Sequence, residues 1–191
     1  MDAALSPITK PKIPTRAKAS PTKMLKESRV EEFEKVRVEM RVEDWKRRME
    51  AVESMVQMII QRPDEFLDRH AMQRLFDVFL DRCRDGNAKV TLLALESLSK
   101  IIPILRNALD PVITLLVPVV ANQMISSSGP IRKAANEAMD KLLEFTDMQL
   151  LLQSLTSILS FGANPKVKPL ITEKLVGESL LNCANFFSNG L

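Results

Sequence analysis

The sequence has little of what most catalytic and metal-binding sites require. Its 191 residues include one His, two Cys, five Gly and no Tyr. A single His excludes a His-rich metal site, and isolated glycines cannot form a phosphate-binding loop. Acidic residues fall singly among Lys and Arg, so no pair of carboxylates suited to acid-base catalysis stands out. The sequence therefore predicts a protein that is not an enzyme and that has no cofactor, no metal and no small-molecule substrate.

Long apolar runs and paired cysteines are also lacking. Cys83 and Cys183 lie far apart and neither belongs to a metal or redox motif, which is typical of a reducing compartment such as the cytoplasm. No secretory signal is recognisable, and the most apolar stretch, residues 111–125, is too short to span a bilayer. His70 follows two charged residues and is interpreted as a surface residue. No membrane association is predicted.

Positive charge is concentrated in the first 26 residues. That segment holds six Lys or Arg and one Asp, whereas residues 27–191 hold 21 Lys or Arg and 23 Asp or Glu. Because it also has four prolines and few apolar residues, residues 1–26 are predicted to form a disordered basic tail. The tail is interpreted either as a linker or as an electrostatic arm for an acidic polymer. Nucleic-acid binding is disfavoured, since the rest of the chain is slightly negative.

Beyond the tail, apolar residues recur at helical spacing. Ser28 and Glu31 form the pattern of a capping box, which predicts the start of the first helix. Later helices are predicted to start near Trp45 and at the cap Asp64. Three more are predicted to start at Asp110, Gly129 and Asn164, and each of these three residues precedes a proline. No β-alternating run of useful length occurs. The sequence therefore predicts an all-α protein of about eight helices.

Four of the predicted helices share one pattern. The segments beginning at Lys46, Lys89, Lys133 and Lys166 start with lysine, keep small or apolar residues on one face and carry an acid at the eighth position. Because they recur at intervals of about 33 to 44 residues, they predict a HEAT-type α-solenoid of about four helix pairs. We assign this solenoid to residues 27–182, followed by a short extension over residues 183–191.

The repeat predicts where the lysines lie. Equivalent positions of a solenoid stack along one edge, so Lys46, Lys89, Lys133 and Lys166 are expected to form a basic row, extended by Arg48, Arg132 and Lys168. A basic residue at a helix N-terminus opposes the helix dipole, so local stability does not explain this placement. The alternative is that lysines are simply common in solvated turns.

The single tryptophan lies at the head of this row. Trp45 falls in an interhelix turn among charged residues, where an exposed indole can anchor a protein partner at low entropic cost. The alternative interpretation is that Trp45 fills the open end of the first helix pair.

The four turns together resemble those of a TOG domain. The matching residues are Asp44, Trp45, Lys46 and Arg48 in the first turn, Asn87, Ala88, Lys89 and Val90 in the second, Gly129, Pro130, Arg132 and Lys133 in the third, and Asn164, Pro165, Lys166 and Val167 in the fourth. The resemblance extends over about residues 27–182 and is strongest to the crescerin family, the TOG array regulators of axonemal microtubules, especially over residues 101–121.

The resemblance implies a non-catalytic module that binds the tubulin heterodimer or the microtubule lattice. In that family the turns within the helix pairs form the binding edge, which implies that Trp45 inserts against β-tubulin. The implied tubulin-binding residues are Trp45, Lys46, Arg48, Asn87, Lys89, Val90, Arg132, Lys133, Lys166 and Lys168. The implied location is the cytoskeleton, including the cilium or axoneme. TOG domains usually have six helix pairs, so four pairs imply fewer contacts toward α-tubulin.

An alternative function is a general HEAT-repeat scaffold that binds peptides or helices on its concave face. Met49, Met55 and Met58 would suit such a surface, because methionine adapts its shape to different partners. Their spacing is also that of a helix core.

Overall fold

The fold is all-α, as the sequence predicts. A computed structural model describes residues 21–161 and 164–188, with side chains described for 29–160 and 164–177. The described residues form eight α-helices and no β-strand: α1 Pro21–Glu39, α2 Trp45–Gln61, α3 Arg69–Arg82, α4 Ala88–Leu105, α5 Ile113–Gln123, α6 Gly129–Phe145, α7 Met148–Phe161 and α8 Val167–Ser188. Two 3₁₀ helices, Pro63–Phe66 and Arg106–Leu109, connect α2 to α3 and α4 to α5.

The helices are arranged as the pairs of a solenoid. Consecutive helices α1 and α2, α3 and α4, and α5 and α6 pack against each other, and α7 packs against α8. The second helices α2, α4 and α6 form one layer with α4 in the middle, while α5 packs against α7 in the other layer. Because α3 and α5 return the chain between them, α2, α4 and α6 run parallel and begin at the same edge.

The core follows from the helical spacing of apolar residues. Along α4, the side chains of Leu95, Leu98 and Ile102 are fully buried between α2 and α6. Burying each side chain of this size contributes roughly 1.5–3 kcal/mol. Because α4 packs against both α2 and α6, it forms the centre of this layer. No helix of the described residues combines the length and the apolar character that crossing a membrane would need.

The first helix begins earlier than predicted. It starts at Pro21, seven residues before Ser28, which therefore lies inside the helix and does not cap it. Proline is favoured in a first helical turn, and the Lys, Met, Leu and Glu residues that follow are good helix formers, so the helix extends into the basic segment. Residues 1–20 of the predicted tail, and residues 189–191, lie outside the described residues.

Two further predicted starts are shifted by 3₁₀ turns. Asp64 lies within the 3₁₀ helix Pro63–Phe66, and the cap of α3 is Asp68, whose carboxylate accepts the N–H groups of His70 and Ala71 at 2.9 and 3.1 Å. Helix α5 begins at Ile113 and not at Asp110. The predicted starts at Trp45 and Gly129 are confirmed.

Candidate functional site

Three of the interhelix turns share one capping geometry. In each of them the side-chain oxygen of an Asx residue accepts the N–H of a lysine two positions later: Asp44 from Lys46 at 2.9 Å, Asn87 from Lys89 at 2.9 Å and Asn164 from Lys166 at 3.1 Å. Such caps satisfy N–H groups that have no partner within the helix. The three lysines therefore occupy the same position relative to their caps, as the repeat predicts.

Lys133 does not occupy this position. The N-cap of α6 is Ser128, with Gly129 and Pro130 following it, so Lys133 lies about one helical turn further into α6 than the other lysines do into their helices. The ungapped repeat alignment is therefore out of register here. The Lys133 side chain is 81% exposed, and its ammonium group lies 3.8 Å from the Glu137 carboxylate on the same helix. It points its charge into solvent near the third turn.

Trp45 connects the first two turns. It is half-buried at the first position of α2, and the Nζ atoms of Lys89 and Lys46 lie 5.1 and 6.0 Å from the centroid of its ring. A lysine over the face of a tryptophan is attracted to the negative potential of the ring, by about 0.5–1 kcal/mol at an exposed site. The structure thus brings Trp45, Lys46 and Lys89 into one cluster that spans the first and second helix pairs.

Arg48 is bound within the protein. Its guanidinium forms a bidentate pair with the Asp85 carboxylate, with Nε to Oδ2 at 2.9 Å and Nη2 to Oδ1 at 2.8 Å. Arg82 Nη1 lies 3.0 Å from the same carboxylate, and the Asn87 N–H donates to it at 2.9 Å. The side chains of Arg48 and Asp85 are only 13% and 3% exposed. This network joins the first turn to the second, so Arg48 has a structural role.

The charge state of Asp85 reflects this network. Burial by itself would favour the neutral acid, but the hydrogen bonds from Arg48 and Asn87 and the charge of Arg82 hold the pKa of Asp85 below its ordinary value. The carboxylate is therefore charged and fully partnered at neutral pH.

Arg48 and Arg132 close their turns in the same way. Each lies four positions after its N-cap, and each donates through Nη1 to two backbone carbonyls of the preceding turn. Arg48 binds the oxygens of Val42 and Glu43 at 2.9 and 2.6 Å. Arg132 binds those of Ser126 and Ser127 at 2.7 and 3.0 Å. Unlike Arg48, Arg132 is exposed, so the rest of its guanidinium faces solvent.

The remaining predicted site residues divide by burial. Val90 is fully buried, so its side chain cannot touch a partner and it is removed from the candidate site. Asn87 is half-buried and used as a cap. Helix α8 begins at Val167, three residues after the predicted start at Asn164, so the exposed Lys166 lies just before the helix and the half-exposed Lys168 lies in its first turn. Helix α8 packs against α5 and α7 and is joined to α6 by an ion pair between Lys174 and Asp140.

We name the solvent-accessible candidate residues of the first three turns the turn edge: the half-buried Trp45 and the exposed Lys46, Lys89, Arg132 and Lys133. Asp85 supports this edge, although no pattern in the sequence analysis singles it out. Asp85 stands two residues before the cap Asn87, a spacing typical of an Asx turn, and this spacing could have indicated its role.

The described residues contain no group of three or more His, Cys, Asp or Glu arranged to hold a metal ion. Cys83 is buried, which raises the pKa of its thiol and keeps it unreactive. His70 is exposed at the start of α3.

Comparison with known proteins supports the resemblance seen in the turns. No family model matches the chain. Over 103 residues, which are 53% of this chain, it is 40% identical to TOG array regulator of axonemal microtubules protein 1 from human, and the mouse protein matches equally well. The resemblance to the TOG array regulators is confirmed. The matched region covers 6% of the length of each of these relatives, and the helix pairs described above agree with an α-solenoid.

Proposed function

We propose that the chain is a non-catalytic module that binds tubulin or the microtubule lattice through the turn edge. Two observations support this proposal. The relatives are named as regulators of axonemal microtubules. The single tryptophan of the chain lies at the turn edge with two lysine ammonium groups within 6.0 Å of its ring. The second observation carries the proposal, because it identifies a surface suited to an acidic protein partner.

The proposed mechanism has two steps. Exposed lysines and Arg132 attract an acidic surface over distances up to the Debye length, about 8–10 Å at moderate salt. Trp45 then docks, and a large rigid ring loses little conformational entropy when it becomes buried. Lys46 and Lys89 flank the ring, so they are placed to pair with carboxylates that surround the docked indole.

The binding set is narrower than the sequence alone suggests. Arg48 is held by Asp85, Val90 is buried and Asn87 caps α4, so these three maintain the shape of the edge. Lys166 and Lys168 remain candidates for a fourth contact. Residues that hold the turns affect binding only through the positions of Trp45 and the lysines.

The cellular setting follows from the same proposal. A module similar to the axonemal regulators would act on the cytoskeleton, in the cilium or axoneme, without catalysing a reaction.

The alternative scaffold function has less support. Met55 and Met58 are buried and Met49 is half-buried, so the methionines considered for a peptide-binding face belong to the core. A scaffold would have to use other side chains of the concave face.

Charge reversal at the two ends of one helix tests the proposal. Lys89 and Lys100 are both exposed lysines of α4, near its N-terminal and C-terminal ends. Lys89→Glu is expected to reduce co-sedimentation with microtubules and co-elution with free tubulin, whereas Lys100→Glu, with the same change in net charge, leaves both unchanged. Equal losses in the two variants would show nonspecific charge attraction, and binding of the wild-type chain to neither tubulin form would favour the scaffold.

A further inference from the structure

The edge opposite the turn edge carries a cavity that the proposed function does not use. It has a volume of about 490 Å³ and lies where α4 and α6 end. Its apolar lining includes Leu67, Ile104, Ala108 and Phe145, and Arg106 and Glu144 are among its polar residues. Leu67 is 51% exposed although it is a large apolar residue. Because α4 has 18 residues, its two ends are separated by about 27 Å at 1.5 Å per residue.

Arg106 has an unusual backbone at this cavity. Its φ of 46° and ψ of −125° make it the only non-glycine residue with positive φ among those that the structure describes. That region suits glycine, because a Cβ atom makes it costly. The chain nevertheless has a long cationic side chain here. Residues with strained backbone cluster at functional sites, so this conformation indicates that the Arg106 side chain has a function.

The Arg106 side chain is held in place but is not neutralised. Its Nε donates to the Pro103 carbonyl oxygen at 3.1 Å, and its guanidinium carbon lies 5.4 Å from the centroid of the Phe145 ring. None of the ion pairs among the described residues includes Arg106. Its two terminal NH₂ groups therefore form a fixed, unpaired fork, the geometry that binds a carboxylate with two parallel hydrogen bonds.

The surrounding charges favour an acidic ligand. Lys141 lies over the same Phe145 ring, 5.1 Å from its centroid, so the ring has two cationic neighbours. Glu144, the acidic residue of the cavity lining, is neutralised by Lys141 at 2.7 Å. The unpaired charge at the cavity is the guanidinium of Arg106, next to an apolar floor.

We propose that this cavity binds a short acidic peptide segment of a partner protein, with an aliphatic side chain in the cavity and a neighbouring carboxylate on Arg106. The apolar lining accounts for the aliphatic side chain, and the unpaired fork accounts for the carboxylate. The site is independent of the turn edge, so a chain bound to one partner at the turn edge could hold a second partner at the other end of α4.

Arg106→Gly separates the ligand-binding role from the structural one. Glycine relieves the strain at positive φ, so the variant is expected to fold at least as stably as the wild type while it lacks the guanidinium. Arg106→Lys keeps the charge but loses the fork. Lys100→Ala removes an exposed cation from the last turns of α4 without touching the cavity, and serves as the control.

The probe is a panel of short peptides that carry one leucine and one glutamate at different spacings in a Gly/Ser background. Binding is followed by the backbone amide NMR signals of Arg106, Asn107 and Phe145 in the full chain, at peptide concentrations up to about 1 mM, the range of weak peptide binding. We expect at least one peptide to shift these signals, and its affinity to fall about tenfold in Arg106→Gly, less in Arg106→Lys and not in Lys100→Ala.

Three outcomes would overturn the proposal. One is that no peptide of the panel shifts the three amide signals. Another is that the peptide binds Arg106→Gly with the same affinity as the wild type. The third is that glutamine in place of glutamate, or inorganic phosphate alone, produces the same shifts as the peptide, since neither requires a peptide carboxylate.

Discussion

At the scale of single residues, Asp85 determines the geometry of the turn edge. It receives hydrogen bonds from Arg48 on α2 and from the Asn87 N–H at the start of α4, and it pairs with Arg82 at the end of α3. A buried carboxylate of this kind adds little net stability compared with apolar residues, but its removal leaves buried guanidinium groups unpaired. Asp85 therefore matters most for keeping the first two turns in register.

We predict that Asp85→Asn lowers the free energy of unfolding by about 3 kcal/mol, because Arg48 and Arg82 lose their buried counter-charge. The measurement is chemical denaturation at neutral pH. Asp81→Asn is the matched control: Asp81 pairs with Arg84 in an exposed bridge, and such bridges contribute about 0.5 kcal/mol. Comparable losses in both variants would contradict the structural role assigned to the Asp85 network.

The same network predicts a pH dependence. The pKa of Asp85 is lower in the folded chain than its ordinary value, so the charged network stabilises the fold above the ordinary aspartate pKa of about 3.9. This contribution is lost as pH falls through the lower pKa of the folded state. The difference in unfolding free energy between wild type and Asp85→Asn should therefore be largest near neutral pH and shrink below about pH 4. A difference that stays constant down to acidic pH would exclude this origin.

The placement of the candidate residues in the turns could be predicted better than the role of each residue. The sequence placed Trp45 and Lys89 at neighbouring turns, and the structure brings the indole and the ammonium within 5.1 Å. It could not distinguish Arg48 from Arg132, because both are turn arginines and only three-dimensional packing shows that Asp85 reaches the first. Val90 was misjudged for the same reason, since a residue one position after an exposed lysine can point into the core.

At the scale of helices, the caps decide where each element begins. Asp68 lies in an extended conformation before α3 and accepts two N–H groups, whereas the predicted cap Asp64 lies inside the preceding 3₁₀ helix. The sequence does not separate the two positions, because both combine an acid with a following helical pattern and Asp64 directly follows Pro63.

We predict that Asp68→Ala lowers the free energy of unfolding by about 1 kcal/mol, the usual contribution of an N-cap. Asp64→Ala, at a position that is also exposed, should change it by less than about 0.5 kcal/mol, because no cap is lost. Thermal or denaturant unfolding of the two variants provides the comparison. A larger loss at Asp64 would restore the boundary that the sequence suggested.

The existence of the helices was predictable, but their ends were less so. Gly129 with Pro130 begins α6 as predicted, since proline fits a first turn. The start of α7 was missed: Asp147 caps it by accepting the Leu150 N–H at 2.9 Å, without a neighbouring proline to mark the turn. The shift of α1 to Pro21 shows that good helix formers can continue a helix through a basic segment that composition alone assigns to a tail.

At the scale of the whole molecule, the distribution of charge governs the proposed binding. The exposed cations of the turn edge are screened by salt, and residues 1–20 add four Lys or Arg against one Asp. A deletion of residues 1–20 removes this charge and leaves α1, Pro21–Glu39, whole, whereas a deletion of the predicted tail, residues 1–26, would shorten α1.

We predict that microtubule binding falls steeply between low and physiological salt, because the turn edge acts through exposed charges and residues 1–20 carry a net positive charge. Deleting residues 1–20 should weaken binding to the lattice more than binding to one free heterodimer, since a charged arm gains most where many acidic sites are within reach. Co-sedimentation and gel filtration of both chains across a salt series give the comparison. Tight binding to free tubulin that is insensitive to salt and to the deletion would contradict this prediction.

The central claim is that Trp45 is a binding anchor at the turn edge and not a core residue. The most direct test measures microtubule affinity and thermal unfolding on the same preparation of Trp45→Ala, with Lys100→Ala as the control. We predict that affinity falls about 30-fold, as for the anchor of a protein interface, while the melting temperature falls by less than about 4 °C. Unchanged affinity together with a large loss of thermal stability would contradict the claim, and would assign Trp45 to closing the end of the first helix pair.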